Sequence, residues 1–159
     1  MFSFFNKKKT IVLQAPVAGK AVDIATVPDE VFAGKIVGDG LAFDPAEGVL
    51  YSPVNGEIVQ VFPTKHAIGL RTAEGLEILL HIGIDTVGMK GEGFESFVTA
   101  GQKVKAGDKL MTFDLALIGQ KAKSTALPMI ITNMDRVKSV SCRYGPVNPH
   151  SKVAEVILK

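Results

Sequence analysis

The chain has 159 residues with 18 basic against 16 acidic side chains, a balance near neutrality that gives nucleic acid no electrostatic footprint. Apolar residues make up 47% and charged residues 21%, ordinary globular composition in a chain long enough to bury one core. Apolar runs such as "LEILLHIGI" stop well short of the ~18 residues of a membrane span, and the single cysteine, Cys142, excludes an internal disulfide and fits a reducing, cytoplasmic compartment.

Taken in chain order, the opening "MFSFFNKKK" puts its apolar residues before its charges, the reverse of a secretory signal. Three Phe and three Lys bind a membrane surface too feebly to make an anchor the first choice, so residues 1–10 are expected to be a flexible or lightly packed segment before a single domain over 11–159. Short runs rich in Val, Ile and Phe then follow one another: "TIVLQAPV", "GKAVDIA", "GLAFD", "GVLYSPV", "GEIVQVF", "HAIGLRT", "LEILLHIG", "KLMTFDL", "PMIITN", "VKSVSCR" and "KVAEVILK". Gly, Pro, Asn and Asp separate them, residues that supply a positive or fixed φ at a turn. Many short strands at close spacing predict an all-β antiparallel sandwich or barrel-like fold. "VPDEVFAG" suits a single helical turn, and "DLALIGQKAKS" predicts a short helix capped by Asp114 with Leu115, Ile118 and Ala122 on its apolar stripe. Cys142 reads as a strand residue, because no histidine lies near it in sequence.

An internal repeat is visible. "APVAGKAVDI" (15–24) and "SPVNGEIVQV" (52–61) share Pro, Val, Gly and Val in the same order, 37 residues apart. Each reads as strand, tight turn, strand, which predicts a sheet built from two related halves. In "VTAGQKVKAGDKLMTFD", Gly101 and Gly107 each fall at a predicted turn.

Two of the three histidines flank one hairpin. "TAEG" (72–75) is the natural reversal between two apolar runs, and the register depends on the loop. A two-residue loop makes paired positions sum to 147, which sets His66 directly opposite His81 on one face. A three-residue loop ending at Gly75 makes the sum 148 and sends the two rings to opposite faces. "AEG" suits either, so spacing alone leaves three chemistries open besides an unrelated pair. A zinc site needs further ligands, with Asp85 the nearest in sequence. A hydrolase needs a nucleophile turn, and none is readable. A phosphoryl carrier needs only one neutral imidazole to take the group and another to donate to its oxygens.

The residues around the pair decide among these. "HIGIDTVGMKGEGF" (81–94), "VPDEVFAGKIVGDGLA" (27–42) and "FDLALIGQKAKST" followed by "PMIITNMD" resemble, in that order, the glucose-type enzyme IIA family of the bacterial phosphoenolpyruvate:sugar phosphotransferase system. The resemblance runs from about residue 11 to the C-terminus. It implies an antiparallel β-sandwich with little helix and a phosphotransferase component that passes a phosphoryl group from the carrier HPr, through a phosphohistidine, to the IIB domain of a sugar permease. By motif, His81 is the phosphoacceptor, His66 the neighbour that stabilises and hands on the group, and Thr64 part of their hydrogen-bond network. Asp29 and Asp85 match acidic positions that meet basic residues of the partners; Val31, Phe32, Val37, Phe62, Leu79 and Val87 match an apolar ring around the site. No cofactor and no Mg²⁺ site are implied, and zinc on two close histidines would be opportunistic. Contact with a membrane is implied only through the permease, and a free-standing chain suggests a shared or regulatory carrier with further protein targets.

The chain departs from relatives in "FPTKH", where Pro63 and Lys65 stand in place of acidic or neutral polar residues. His150, in "GPVNPHSK", matches no motif and reads as a loop residue. Two readings compete with the carrier: a zinc-binding histidine pair, and a biotinyl or lipoyl domain. The second needs a lysine at a hairpin tip, for which Lys90 in "GMKGEGF" is a poor match.

Overall fold

The computed structural model describes residues 10–159; "MFSFFNKKK" lies outside them, and Thr10, which the sequence placed in that segment, is the first residue of a strand. The described residues form three antiparallel sheets. The first joins β1 (Thr10–Gln14), β14 (Lys152–Leu158) and β12 (Val137–Cys142), in that order. A second joins β4 (Val49–Tyr51), β10 (Lys109–Phe113) and β8 (Phe94–Ser96). The largest runs β13 (Gly145–Val147), β2 (Gly19–Asp23), β3 (Asp39–Pro45), β11 (Leu127–Ile131), β7 (Glu77–His81), β6 (Ala67–Arg71), β5 (Gly56–Val61) and β9 (Lys103–Val104). Among the described residues helix is confined to α1 (Glu30–Ala33), α2 (Leu115–Lys121) and single 3-10 turns, so the all-β expectation holds. The strands that pattern reading passed over are β8, β9 and β13, each too short to show an alternation.

Both helices fall in the segments the sequence proposed, and each starts at an aspartate cap. Asp29 accepts from Val31 N at 2.8 Å and Asp114 from Leu117 N at 3.0 Å, each satisfying a donor that the first turn leaves unpaired. The two repeats dock reciprocally: Tyr51 N donates to Pro16 O at 2.7 Å and Gln14 N to Pro53 O at 2.9 Å. Gly101 and Gly107 both take positive φ, at the turns their positions predicted.

The large sheet is covered on both faces, and this is what builds the site. Leu41, Phe43, Ile78, Leu80, Leu127, Met129 and Ile131 point into the main core. Ala42 and Ile130, on the opposite face of the same strands, join Ile24, Val27, Phe32, Ile84 and Ala126 in a second, smaller core. The run "LPMII" is accordingly buried at every position, as expected of a strand walled on both sides. Successive side chains alternate faces, so on β7 Leu79 and His81 share the side of the smaller core while Ile78 and Leu80 face the main one. The segment bearing α1 closes over that side, with the buried Phe32 as its anchor.

The hairpin register, which the sequence left open, is the three-residue-loop one. β6 and β7 pair as Arg71↔Glu77 through Ala67↔His81, so partners sum to 148 rather than 147. The loop is Ala73-Glu74-Gly75: Thr72 N bonds Leu76 O at 2.9 Å, and Gly75, at φ +94°, donates to Thr72 O at 3.0 Å. Glycine takes that φ without a Cβ penalty, and the turn with its bulge follows.

Candidate functional site

In the 148 register, strict alternation would send His66 to the face opposite His81. The rings nevertheless meet, because His66 is not a strand residue. It ends a four-residue loop, Pro63 to His66, between β5 and β6. Phe62 N pairs with Ala67 O at 3.0 Å across the base, and Lys65 N closes a turn onto Phe62 O at 2.7 Å. Lys65 sits at φ 58°, a left-handed conformation uncommon outside glycine, which turns the chain just before His66. The main chain of His66 is then tied to β7's extension, its carbonyl accepting from Ile82 N at 2.7 Å. The two imidazoles end edge to face, with centroids 5.1 Å apart and planes inclined by 76°. Same-side placement, which the sequence asked of the 147 register, comes instead from a loop that escapes the strand's alternation.

Each ring is held at Nδ1. His81 Nδ1 lies 2.7 Å from Gly83 O. A carbonyl only accepts, so Nδ1 carries the proton and Nε2 keeps a free lone pair. His66 Nδ1 lies 2.5 Å from Thr64 Oγ1, a group able to donate or accept. The Phe32 ring packs against His81 at 4.9 Å between centroids, and Phe62 meets His66 edge-on at 5.5 Å.

Electrostatics keep both rings neutral. Burial is the main cause that lowers the His81 pKa to about 4, joined by the neighbouring His66; the Gly83 hydrogen bond and the charges of Asp29 and Asp85 oppose it. Burial likewise lowers His66. Both rings at neutral pH are therefore unprotonated bases. A titration followed by the ring resonances of His81 is expected to stay flat from pH 8 to about 5.5, with its midpoint near 4. The unfolded chain takes up its proton near ~6.5, so between there and 4 it binds more protons than the native state. This part of the stability is full above the upper value and is lost as pH falls toward the lower one. A midpoint at the unperturbed value would show that burial does not govern the site.

The other residues singled out in the sequence fall into separate roles. Asp29 is half-buried and engaged in capping α1, whereas Asp85 is exposed, stands at φ 63° ahead of the 3-10 turn Thr86–Met89 and caps nothing with its carboxylate. Both are close enough to bias the His81 charge. The apolar set splits: Val31 and Val87 are 41% and 58% exposed, Val37, Phe62 and Leu79 are half-buried, and Phe32 is core. Lys90 follows the 3-10 turn in a left-handed conformation rather than tipping a hairpin. Cys142 is a half-buried strand residue and His150 lies exposed in the loop before β14. Sequence reasoning did not single out Gly83, although "HIGID" contains it; a carbonyl's role leaves no trace in residue identity.

Among the described residues no group of three or more His, Cys, Asp or Glu is placed to hold a metal ion, and no helix is long and apolar enough to cross a membrane. A cavity of about 560 Å³ lies elsewhere, between Asn55, Glu57, Arg71, Lys103 and Lys105. The histidines instead stand at a shallow apolar face with charges at its border. Such a face suits transient contact with another macromolecule better than enclosure of a small molecule. A neutral imidazole with one free nitrogen, beside a second imidazole, is equipped to carry a small electrophilic group.

Comparison with known proteins gives that chemistry a family. Residues 11–137 match the model described as phosphoenolpyruvate-dependent sugar phosphotransferase system, EIIA 1. The PTS system glucose-specific EIIA component of Bacillus cereus is 54% identical over 145 residues, 91% of this chain and 88% of that protein. Its counterpart in Staphylococcus aureus is 48% identical over 153 residues, 95% and 92% of the two chains. The solved structure of glucose permease IIA from Mycoplasma capricolum superposes with a TM-score of 0.87 at 44% identity, covering 98% of this chain and 99% of that one. The fold and site thus define a phosphoryl carrier of the transferase class. The chain belongs to the EIIA 1 family of the phosphoenolpyruvate-dependent sugar phosphotransferase system. These relatives support the carrier and neither rival, zinc-binding pair nor biotinyl domain.

Proposed function

We propose that His81 is the residue that carries the phosphoryl group, accepting it from phospho-HPr and yielding it to the IIB domain of a sugar permease, with the glucose class named in its relatives as the first candidate. The observation that carries this is the Nδ1–Gly83 O hydrogen bond of 2.7 Å, which leaves Nε2 of a neutral ring as the free nucleophile. Nε2 attacks phosphorus in line; the new P–N bond forms as the bond to the donor's histidine breaks, and the donor nitrogen keeps that electron pair. With Thr64 Oγ1 donating to its Nδ1, His66 keeps its proton on Nε2 and donates it to the phosphoryl oxygens. Thr64 fixes that tautomer as Gly83 fixes the other.

Docking is assigned to the face around the rings. Exposed Val31 and Val87 with half-buried Val37, Phe62 and Leu79 supply apolar contact, while Asp29 and Asp85 meet basic residues of the partners. Phe32, being core, supports His81 from beneath rather than touching a partner. Lys65 places a positive charge beside this acidic border and tunes which partner docks best. No cofactor enters the scheme, and a cytoplasmic location fits a single unpaired cysteine. The test is transfer itself. With phosphoenolpyruvate, enzyme I and HPr the protein should acquire acid-labile, base-stable phosphate and lose it on addition of IIB; label that forms without HPr or never leaves to IIB contradicts the proposal.

A further inference from the structure

The two histidines reach their positions through one residue between them. Ile82 donates its N–H to His66 O at 2.7 Å, which holds the main chain of one ring. Its peptide leads directly into Gly83, whose carbonyl holds the other ring at Nδ1. The carbonyl of Ile82 itself is bonded by a side chain: Thr86 Oγ1 donates to it at 2.6 Å. Thr86 has no exposed surface, so its hydroxyl is a polar group deliberately spent in the interior. Gly83 stands at φ +74°, and a Cβ built on it would come within 2.5 Å of Thr86 Cγ2. The next peptide, the one that bears Gly83 O, is tied through its own N–H, with Ile84 N bonding Ser124 O at 2.9 Å, and Lys123 N bonds Ile84 O at 3.0 Å.

We infer that Thr86 is a positioning residue for phosphoryl transfer: by holding the Ile82 carbonyl it orients the Gly83 peptide that fixes the His81 tautomer and the Ile82 amide that anchors His66. The inference rests on His81 being the phosphoacceptor. Thr86 bonds the Ile82–Gly83 peptide; the Ile82 N–H that holds His66 lies one peptide before it, and the Gly83 carbonyl that holds His81 one peptide after it. Its hydroxyl, not its methyl group, is the working part, because only the hydroxyl reaches the carbonyl. Without that bond the Ile82–Gly83 peptide can rotate and leaves Ile84 N on Ser124 O as the remaining tie on the peptide that bears Gly83 O. Gly83 O then drifts from Nδ1, and the ring proton redistributes to Nε2, the nitrogen that must attack.

The test uses the full chain with ¹⁵N-labelled histidine. In the wild type the nitrogen spectrum should show His81 as the Nδ1–H tautomer. Thr86→Val keeps the branched shape and removes the hydroxyl; it should populate the Nε2–H tautomer of His81 and slow phosphoryl uptake from HPr roughly five- to tenfold, the factor a lost hydrogen bond commands. Thr86→Ser, which keeps the hydroxyl, should restore the tautomer and bring uptake to within about twofold of wild type. Thr86→Ala serves if the valine variant does not fold and should show the same tautomer shift. A valine or alanine variant with lower melting temperature but wild-type tautomer and uptake reduces Thr86 to a structural residue and overturns the inference. A serine variant that behaves like valine overturns it too, by assigning the effect to the methyl group. The tautomer is read on unphosphorylated protein, so this outcome stays separable from a failure of wild type to accept phosphate, which would refute the role of His81 instead.

Discussion

His81→Ala is expected to take up no acid-labile phosphate from phosphoenolpyruvate, enzyme I and HPr, while remaining folded. His81 is the last residue of β7, half-buried, and its ring covers the edge of the smaller core rather than filling it. Truncation removes the contact with Phe32 but opens onto solvent. The stability cost should therefore stay near ~1 kcal/mol, the ordinary value for a substitution outside a core. Activity has no such cushion. His66 is buried, with its Nδ1 committed to Thr64, and no other imidazole is at the face to take over. Labelling followed by gel or mass spectrometry, alongside a thermal melt, separates the two effects. Normal labelling of a folded His81→Ala would remove the residue from the centre of the scheme.

His66→Ala is expected to reach the same extent of labelling yet to pass the group to IIB roughly a hundred- to a thousandfold more slowly, the loss typical of a missing donor to a developing oxyanion. The transition states for uptake and release share the phosphoryl oxygens, so the substitution slows both directions. Uptake is pulled by excess phospho-HPr and still goes to completion, whereas release to IIB is read directly as a rate. A quenched-flow comparison of extent against rate shows the split. If onward transfer keeps the wild-type rate, His66 serves only to shape the loop that Lys65 turns, and its 5.1 Å approach to His81 has no chemical role. Thr64→Val should weaken transfer in the same direction by a smaller factor, since it removes the hydroxyl that fixes the His66 ring.

Much of this was legible in residue types. Strand content followed from alternation and turn residues; the cap at Asp114 followed from a carboxylate standing just ahead of an apolar turn, and "VPDEVFAG" gave the helical turn that Asp29 caps in the structure. The family motifs named the residues that the structure then places side by side: His66, His81, Thr64 and Phe32. The register was not legible, because "TAEG" accommodates either loop and a single residue's slip reverses every side chain. The 148 pairing would have argued against a functional pair by alternation alone. Alternation does not reach His66, because the strand begins at Ala67 and His66 follows the preceding loop. Contributions made by backbone groups, such as Gly83 O and the Ile82 peptide, were equally hidden, since every residue carries a carbonyl. The division of the apolar set also needed coordinates: the sequence offers Val31 and Phe32 as neighbours, and only the packing shows one exposed and the other buried.

Energetically the site combines a rigid base with a modest charge pattern. β7 is held between β6 and β11 on a fully packed sheet, so the acceptor nitrogen needs little reorganisation when a partner docks. Under the proposed scheme, keeping both imidazoles neutral makes attack possible at physiological pH, and a phosphoryl group on His81 would bring negative charge beside His66 and favour a donor role for it.

The central claim is that Nε2 of His81 bears the phosphoryl group because Gly83 occupies Nδ1. The most direct measurement is a ³¹P spectrum of the protein labelled through HPr, with ¹⁵N-histidine to identify the bonded nitrogen. One phosphoramidate resonance coupled to Nε2 of His81, absent in His81→Ala, is the predicted result; coupling to Nδ1, or to a nitrogen of His66 or His150, contradicts it.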